Sequence, residues 1–167
     1  MVILGIDPGT ATTGYGAIKI EETSIRLIKF GWISTDKKLE ANLRLKSIYQ
    51  QMNQLLQEVS PDVVAIERLF FYNNAKTAMK VSEAMGVLRL AVAQKGIEIV
   101  EYAPLKIKSI VTQNGWAKKE EMKKAIRKIL KVRTPKKKKA HFDDVADALG
   151  VAICHAKLCF QAERLAM

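Results

Sequence analysis

Only two cysteines, Cys154 and Cys159, occur in 167 residues. Their spacing fits no common zinc pattern, and both fall in the last helical segment, so they read as reduced thiols of core or surface. No apolar run is long enough to cross a bilayer. The basic-then-apolar opening of a secretory signal is missing as well, because Asp7 arrives too early. These absences point to a cytoplasmic protein with no membrane attachment. Internal repeats and long linkers are also lacking, so residues 1–167 are expected to form one domain around a single core. Acidic residues are scarce: 17 against 28 lysines and arginines, for a formal net charge of +11. Basic residues dominate from Lys118 to Lys139 and end in the run Lys136 to Lys139. Such an excess implies a polyanionic partner, nucleic acid first and an anionic membrane surface second.

What is present is the composition of a soluble globular protein, 49% hydrophobic and 27% charged. The scarce acids are placed unusually. Asp7 ends the apolar run from Val2 to Ile6, and Glu67 ends a second run from Val63 to Ile66. Asp144 and Asp147 lie three residues apart, about 60° around a helix, so both can face one point. A carboxylate that closes a buried strand is costly to desolvate, and several together repel one another unless a cation compensates.

Hydropathy periods give the frame for these residues. Residues 2–7 read as a central strand, apolar on both faces. Pro8 to Gly14 reads as a turn-rich loop. Residues 14–20 and 25–30 alternate like an antiparallel pair. Helices are predicted over about 40–58, 75–95, 106–112, 120–131 and from 141 past 157, with strands over 62–66 and 97–100 between them. Trp32 is expected in the core, in the third strand. Trp116 is expected either in the core or supporting a DNA-facing loop. The fold class is therefore α/β: a mixed five-stranded sheet with helices on both faces.

In such a sheet, sites lie off the carboxyl ends of parallel strands, where Asp7 and Glu67 stand. Two strand-end acids and an i, i+3 pair could hold two Mg²⁺ ions about 4 Å apart, able to activate water and stabilise a leaving oxygen. Ile6-Asp7-Pro8-Gly9-Thr10 followed by Thr13-Gly14-Tyr15-Gly16 resembles the opening motif of the RuvC family of bacterial Holliday-junction resolvases. Ala65-Ile66-Glu67 running into Phe70-Phe71 and Asn74 to Ala78 resembles its second motif. Asp144-Val145-Ala146-Asp147-Ala148-Leu149 resembles its third.

That resemblance implies an RNase H-like fold, a homodimer, and Mg²⁺-dependent paired nicking of four-way DNA junctions in recombination and repair, with Mn²⁺ as a possible substitute. It also implies work beside the RuvA–RuvB branch-migration complex. Asp7, Glu67, Asp144 and Asp147 match the family's catalytic, metal-holding acids. Phe70 matches an aromatic that contacts DNA at the cut, and Lys108 and Lys119 match basic residues that contact the junction. The chain departs from the family pattern by crowding its third motif with Asp143 and His141.

Two other readings compete. Asp-x-Gly-Thr followed by Gly also opens actin-like ATPases and sugar kinases, although that fold normally needs two such domains. A non-catalytic DNA-junction-binding protein would need the lysines alone. For the dimer, the helix over 75–95 is the expected interface: Ala78, Ser82 and Gly86 permit close approach, while Met79, Met85 and Leu88 supply apolar contact.

Overall fold

The computed structural model describes residues 1–22, 24–68, 75–131 and 141–165. The elements follow the order β1 (Val2–Asp7), β2 (Thr12–Glu21), β3 (Ser24–Ser34), α1 (Ala41–Val59), β4 (Val63–Glu67), α2 (Ala75–Ala93), β5 (Glu98–Tyr102), α3 (Pro104–Thr112), α4 (Lys119–Leu130) and α5 (Phe142–Leu165). The five strands form one sheet in the order β3-β2-β1-β4-β5. Strand β1 is indeed central, antiparallel to β2 and parallel to β4. Its two-faced apolar character follows from that position. Leu4, Ile6, Val64 and Ile66 pack under α1 and α2, and Ile3, Val63 and Ala65 pack under α3, α4 and α5.

The hairpin is longer than its hydropathy predicts. Thr12 and Thr13, expected in the loop, pair with Ser34 and Ile33. Both are β-branched, which suits a pleated strand. Thr13 is buried and donates from Oγ1 to the Gly9 carbonyl at 2.8 Å, so it closes the loop after Asp7.

Three expectations about burial need correction. Trp32 lies in β3 but is 39% exposed. Strand β3 is an edge strand of the sheet, and the Trp32 ring lies 5.4 Å from that of His141, centroid to centroid. Met85 and Leu88 are buried with Ala84, Ala91 and Val92 in the core shared with α1, so they face the chain's own sheet. The outward face of α2 carries Met79, Ser82, Gly86 and Leu90 instead. Finally, Asp143–Leu165 is long and apolar enough to cross a membrane. From Val145 to Ala156 its apolar residues are instead buried against β1, β2, α3 and α4, as befits a core helix.

Close approach of α5 to the sheet is what positions the site. A Cβ on Gly5 would collide with the Ala148 carbonyl oxygen and with Ala152, and one on Gly14 with the backbone of Asp144. Gly16 likewise lies against Leu149. The backbone there cannot yield without moving α5 whole. Gly5→Ala is therefore expected to destabilise by about 3 kcal/mol or more, read as a lowered urea midpoint. Gly86→Ala has open space around its new Cβ and should stabilise the isolated fold by about 0.5–1 kcal/mol.

Candidate active site

Ile6 and Ile66 are partners in the parallel ladder, so the next residues, Asp7 and Glu67, leave their strands side by side. Side chains alternate between the faces of a sheet. Ile3 and Ala65 face α5, hence Asp7 and Glu67, an even number of residues further on, face it too. The glycine contacts of β1 and β2 then bring the first turns of α5 down beside them, with Asp144 and Asp147. All four expected acids converge at one end of the sheet. Asp7, Glu67 and Asp147 line a cavity of about 230 Å³ with Pro104, Ile107, Lys108, Lys119 and Met122. Asp144 is near enough to act on the charge of Asp7. Two larger grooves around Lys157 and Phe160 lie at the other end of α5 and hold no such cluster.

The electrostatics are those of crowded acids under partial burial. Burial, then repulsion from Asp147, Glu67 and Asp144, pushes the Asp7 carboxyl up to about 8, against the pull of Lys119. Burial and Asp147 push Glu67 up to about 7, while Lys108 and Lys119 oppose them. Asp147 is also raised, by burial first, with Lys119 opposing. Lys119 Nζ stands 3.9 Å from Asp147 Oδ2, so one ammonium partly offsets several carboxylates. These shifts are a physical signature of a site that a cation completes.

The donor set fits a hard divalent ion, since every candidate ligand is a carboxylate oxygen. Among the described residues, no three acid, histidine or cysteine side chains already close on one point as a cage.

The two residues that crowd the third motif are placed differently. Asp143 reaches away to α4, where Lys123 Nζ lies 2.8 Å from its Oδ1. His141 stands at the edge of the cluster, with Nδ1 at 3.5 Å from Asp144 Oδ2 and 3.2 Å from Thr12 Oγ1. Arg68, next in the chain after Glu67, turns away to Glu101, which Arg89 also engages at 2.7 Å. Phe70 and Lys136 to Lys139 lie outside the described residues. Sequence reasoning missed Lys123 and Thr12. Lys123 follows Lys119 by one helical turn and could have been found from that spacing; nothing local marks Thr12. Further along α5, His155 is half-buried and shares a hydrogen bond between its Nδ1 and the Tyr102 hydroxyl at 2.7 Å.

Comparison with known proteins decides the family. The model of "Crossover junction endodeoxyribonuclease RuvC" matches residues 3–155. The chain belongs to the RuvC family. The crossover junction endodeoxyribonuclease RuvC of Alkaliphilus metalliredigens is 47% identical over 156 residues, 93% of each chain. That of Syntrophomonas wolfei is 44% identical over 155 residues, 93% of this chain and 88% of its own. Among solved structures, Thermus thermophilus RuvC superposes with a TM-score of 0.85 at 30% identity, over 97% of both chains. The same protein in complex with a Holliday junction substrate gives 0.87 at 30% identity, over 97% and 96%. A yeast mitochondrial Holliday junction resolvase, 16% identical with a TM-score of 0.71, shares the fold. The fold is RNase H-like, and the family is one of metal-dependent nucleases. The actin-like and non-catalytic readings are thereby set aside.

Proposed function

We propose that the chain, acting as a single nuclease domain, resolves four-way DNA junctions by paired, symmetric nicks during recombination and repair. The observation that carries this reading is the convergence of Asp7, Glu67, Asp144 and Asp147, from three separate chain segments, beside Lys108 and Lys119. Asp7 and Glu67 hold the metal site from the sheet, and Asp144 and Asp147 hold it from α5. Two Mg²⁺ ions, or Mn²⁺ in their place, would activate the attacking water and stabilise the departing oxygen. Lys108 and Lys119 take the phosphates on either side of the cut and hold the strand in register. Phe70 is assigned to the DNA strand at the cut by its place in the second motif. Among the described residues that line the cavity there is no serine or tyrosine, which supports direct hydrolysis leaving a 5′-phosphate and a 3′-hydroxyl. The test is incubation with a synthetic four-way junction and with linear duplex, each with and without Mg²⁺. Paired cuts confined to the junction with Mg²⁺ are expected; equal cutting of duplex would defeat the reading.

Affinity should come from the lysines. Lys119→Ala is expected to weaken metal-free junction binding and lower the salt slope by about one. An unchanged slope would remove Lys119 from the phosphate contacts.

Symmetric nicking on two strands calls for two identical sites, which a C2 dimer supplies. The outward face of α2 is the proposed seam: Met79 is 66% and Leu90 52% exposed, with Ser82 and Gly86 allowing close approach. Ser82→Glu is expected to shift sedimentation from dimer towards monomer and to uncouple the two nicks. A dimer unaffected by this change would exclude α2 as the seam. In the cytoplasm, beside the DNA it cuts, the dimer would act alongside the RuvA–RuvB complex.

A further inference from the structure

The turn between α3 and α4 holds the most exposed aromatic among the described residues. Trp116 is 84% exposed, yet its backbone is firmly fixed. Gln113 is in the left-handed region at φ 64°. Thr112 Oγ1 accepts from the Asn114 amide at 3.1 Å and itself donates to the Lys108 carbonyl at 2.8 Å. Asn114 Oδ1 accepts from the Trp116 amide at 3.0 Å, and the Asn114 carbonyl accepts from the Ala117 amide at 3.1 Å. Ala117 is buried in the core, and Glu121 accepts from the Lys118 amide at 2.7 Å. The indole therefore stands on a rigid base, uncovered.

Its surroundings are basic and lead to the catalytic cavity. A Cβ on Gly115 would be 3.6 Å from the Leu105 carbonyl oxygen, so the turn folds back onto the first turn of α3. Leu105 is itself exposed. Lys108 on α3 and Lys119 on α4 both line the cavity, and Lys118 is exposed between Trp116 and Lys119. The nearby acids are already engaged: Glu121 caps α4 and Glu120 pairs with Lys123 at 3.1 Å. An apolar ring rimmed by lysines matches the base-stacking platforms that bind single strands, where the ring takes a base and the cations take the flanking phosphates. Bases within a duplex are already stacked. Away from the duplex ends, it is at a strand exchange point that a base face opens to an indole.

Resting on the resolvase reading above, we propose that Trp116 stacks on an unpaired base at the branch point, on the strand that Lys108 and Lys119 lead into the catalytic cavity. The platform adds selectivity for the junction over its duplex arms. It also assigns the α3–α4 turn to the DNA-binding surface.

The test uses the full chain without divalent ions, so that nothing is cut. Junction and linear duplex affinities are measured for the wild type, Trp116→Ala and Trp116→Phe. Trp116→Ala is expected to weaken junction binding about tenfold and duplex binding by less than about twofold, with Trp116→Phe close to wild type. The salt slope should not change, because an indole releases no counterions. In a Trp32→Phe background, the junction should quench the fluorescence of Trp116. An unaltered melting temperature is expected for an exposed side chain and would exclude unfolding as the cause. Unchanged junction affinity in Trp116→Ala, with the indole unquenched, would overturn the proposal and give the patch to a protein partner. Equal weakening on junction and duplex would overturn it too. If the wild type itself bound no junction, the resolvase reading would fall with it.

Discussion

Asp7→Asn and Glu67→Gln should each slow junction cleavage at least about a thousandfold, some 4 kcal/mol of transition-state stabilisation. Junction binding should hardly change. Both substitutions keep shape and hydrogen-bonding capacity but remove the charge that a divalent ion requires. Asp7 sits deepest in the cluster, repelled by Asp147, Glu67 and Asp144. Glu67 stands beside it on β4. Affinity is proposed to reside elsewhere, in Lys108 and Lys119, which line the same cavity, and in the remaining positive charge. Single-turnover cleavage of a labelled junction, with binding measured on the same preparations, checks the split. Near-normal cutting by either variant would refute the assignment of that acid. Loss of binding in parallel with cutting would mean that the acids hold the fold together rather than perform the chemistry.

The same acids should make the metal-free protein less stable as pH rises, by a few kcal/mol in all. Asp7 is raised from 3.8 to about 8 and Glu67 from 4.5 to about 7. Between those limits the folded chain keeps protons that the unfolded chain has released. Stability contributed by these groups is thus full below the ordinary carboxylate range and is lost as pH climbs through the raised values. Thermal melting of metal-free protein should therefore fall between pH 5 and pH 8.5. Asp7→Asn, which has no proton to lose, should melt about 5 °C or more above wild type at pH 8.5 and show a smaller difference at pH 5. Mg²⁺ should raise the wild-type melting temperature more at pH 8.5 than at pH 5, because it binds the ionised site. If Asp7→Asn tracks the wild type at both pH values, Asp7 is not the strained carboxyl described. A substitution that abolishes activity while stabilising the fold is expected where a site is built from mutual repulsion.

Much of this was visible along the chain because the relevant signals are local. The apolar runs ending in Asp7 and Glu67 identify strands by length and identify their ends by the change in polarity, and those ends stayed where expected. The i, i+3 spacing of Asp144 and Asp147 needs only a helix to put both on one side. Parallel order for β1, β4 and β5 follows from the helical crossovers. The lysines at 108 and 119 carried no local signature and were found only through their likeness to a family; the structure brings both to the same cavity as the acids.

Other features were decided only when the elements packed. Gly5, Gly14 and Gly16 read merely as turn or strand residues, yet their missing side chains let α5 settle onto β1 and β2 and bring its acids to Asp7. Asp143 and Asp144 are neighbours with the same chemistry, and the reach of Lys123 from α4 separates them. Trp32, Trp116, Met85 and Leu88 were misplaced or left open because hydrophobicity states what a side chain would gain from burial, not which neighbour covers it. An outer strand left Trp32 half open, a tight turn put Trp116 in solvent, and the core shared with α1 took Met85 and Leu88. The sequence by itself determined the strands, the helices and the acids that end or open them, through patterns spanning a few residues. Only the tertiary structure decided which acids meet and which apolar groups stay exposed, because both depend on contacts between segments far apart in the chain.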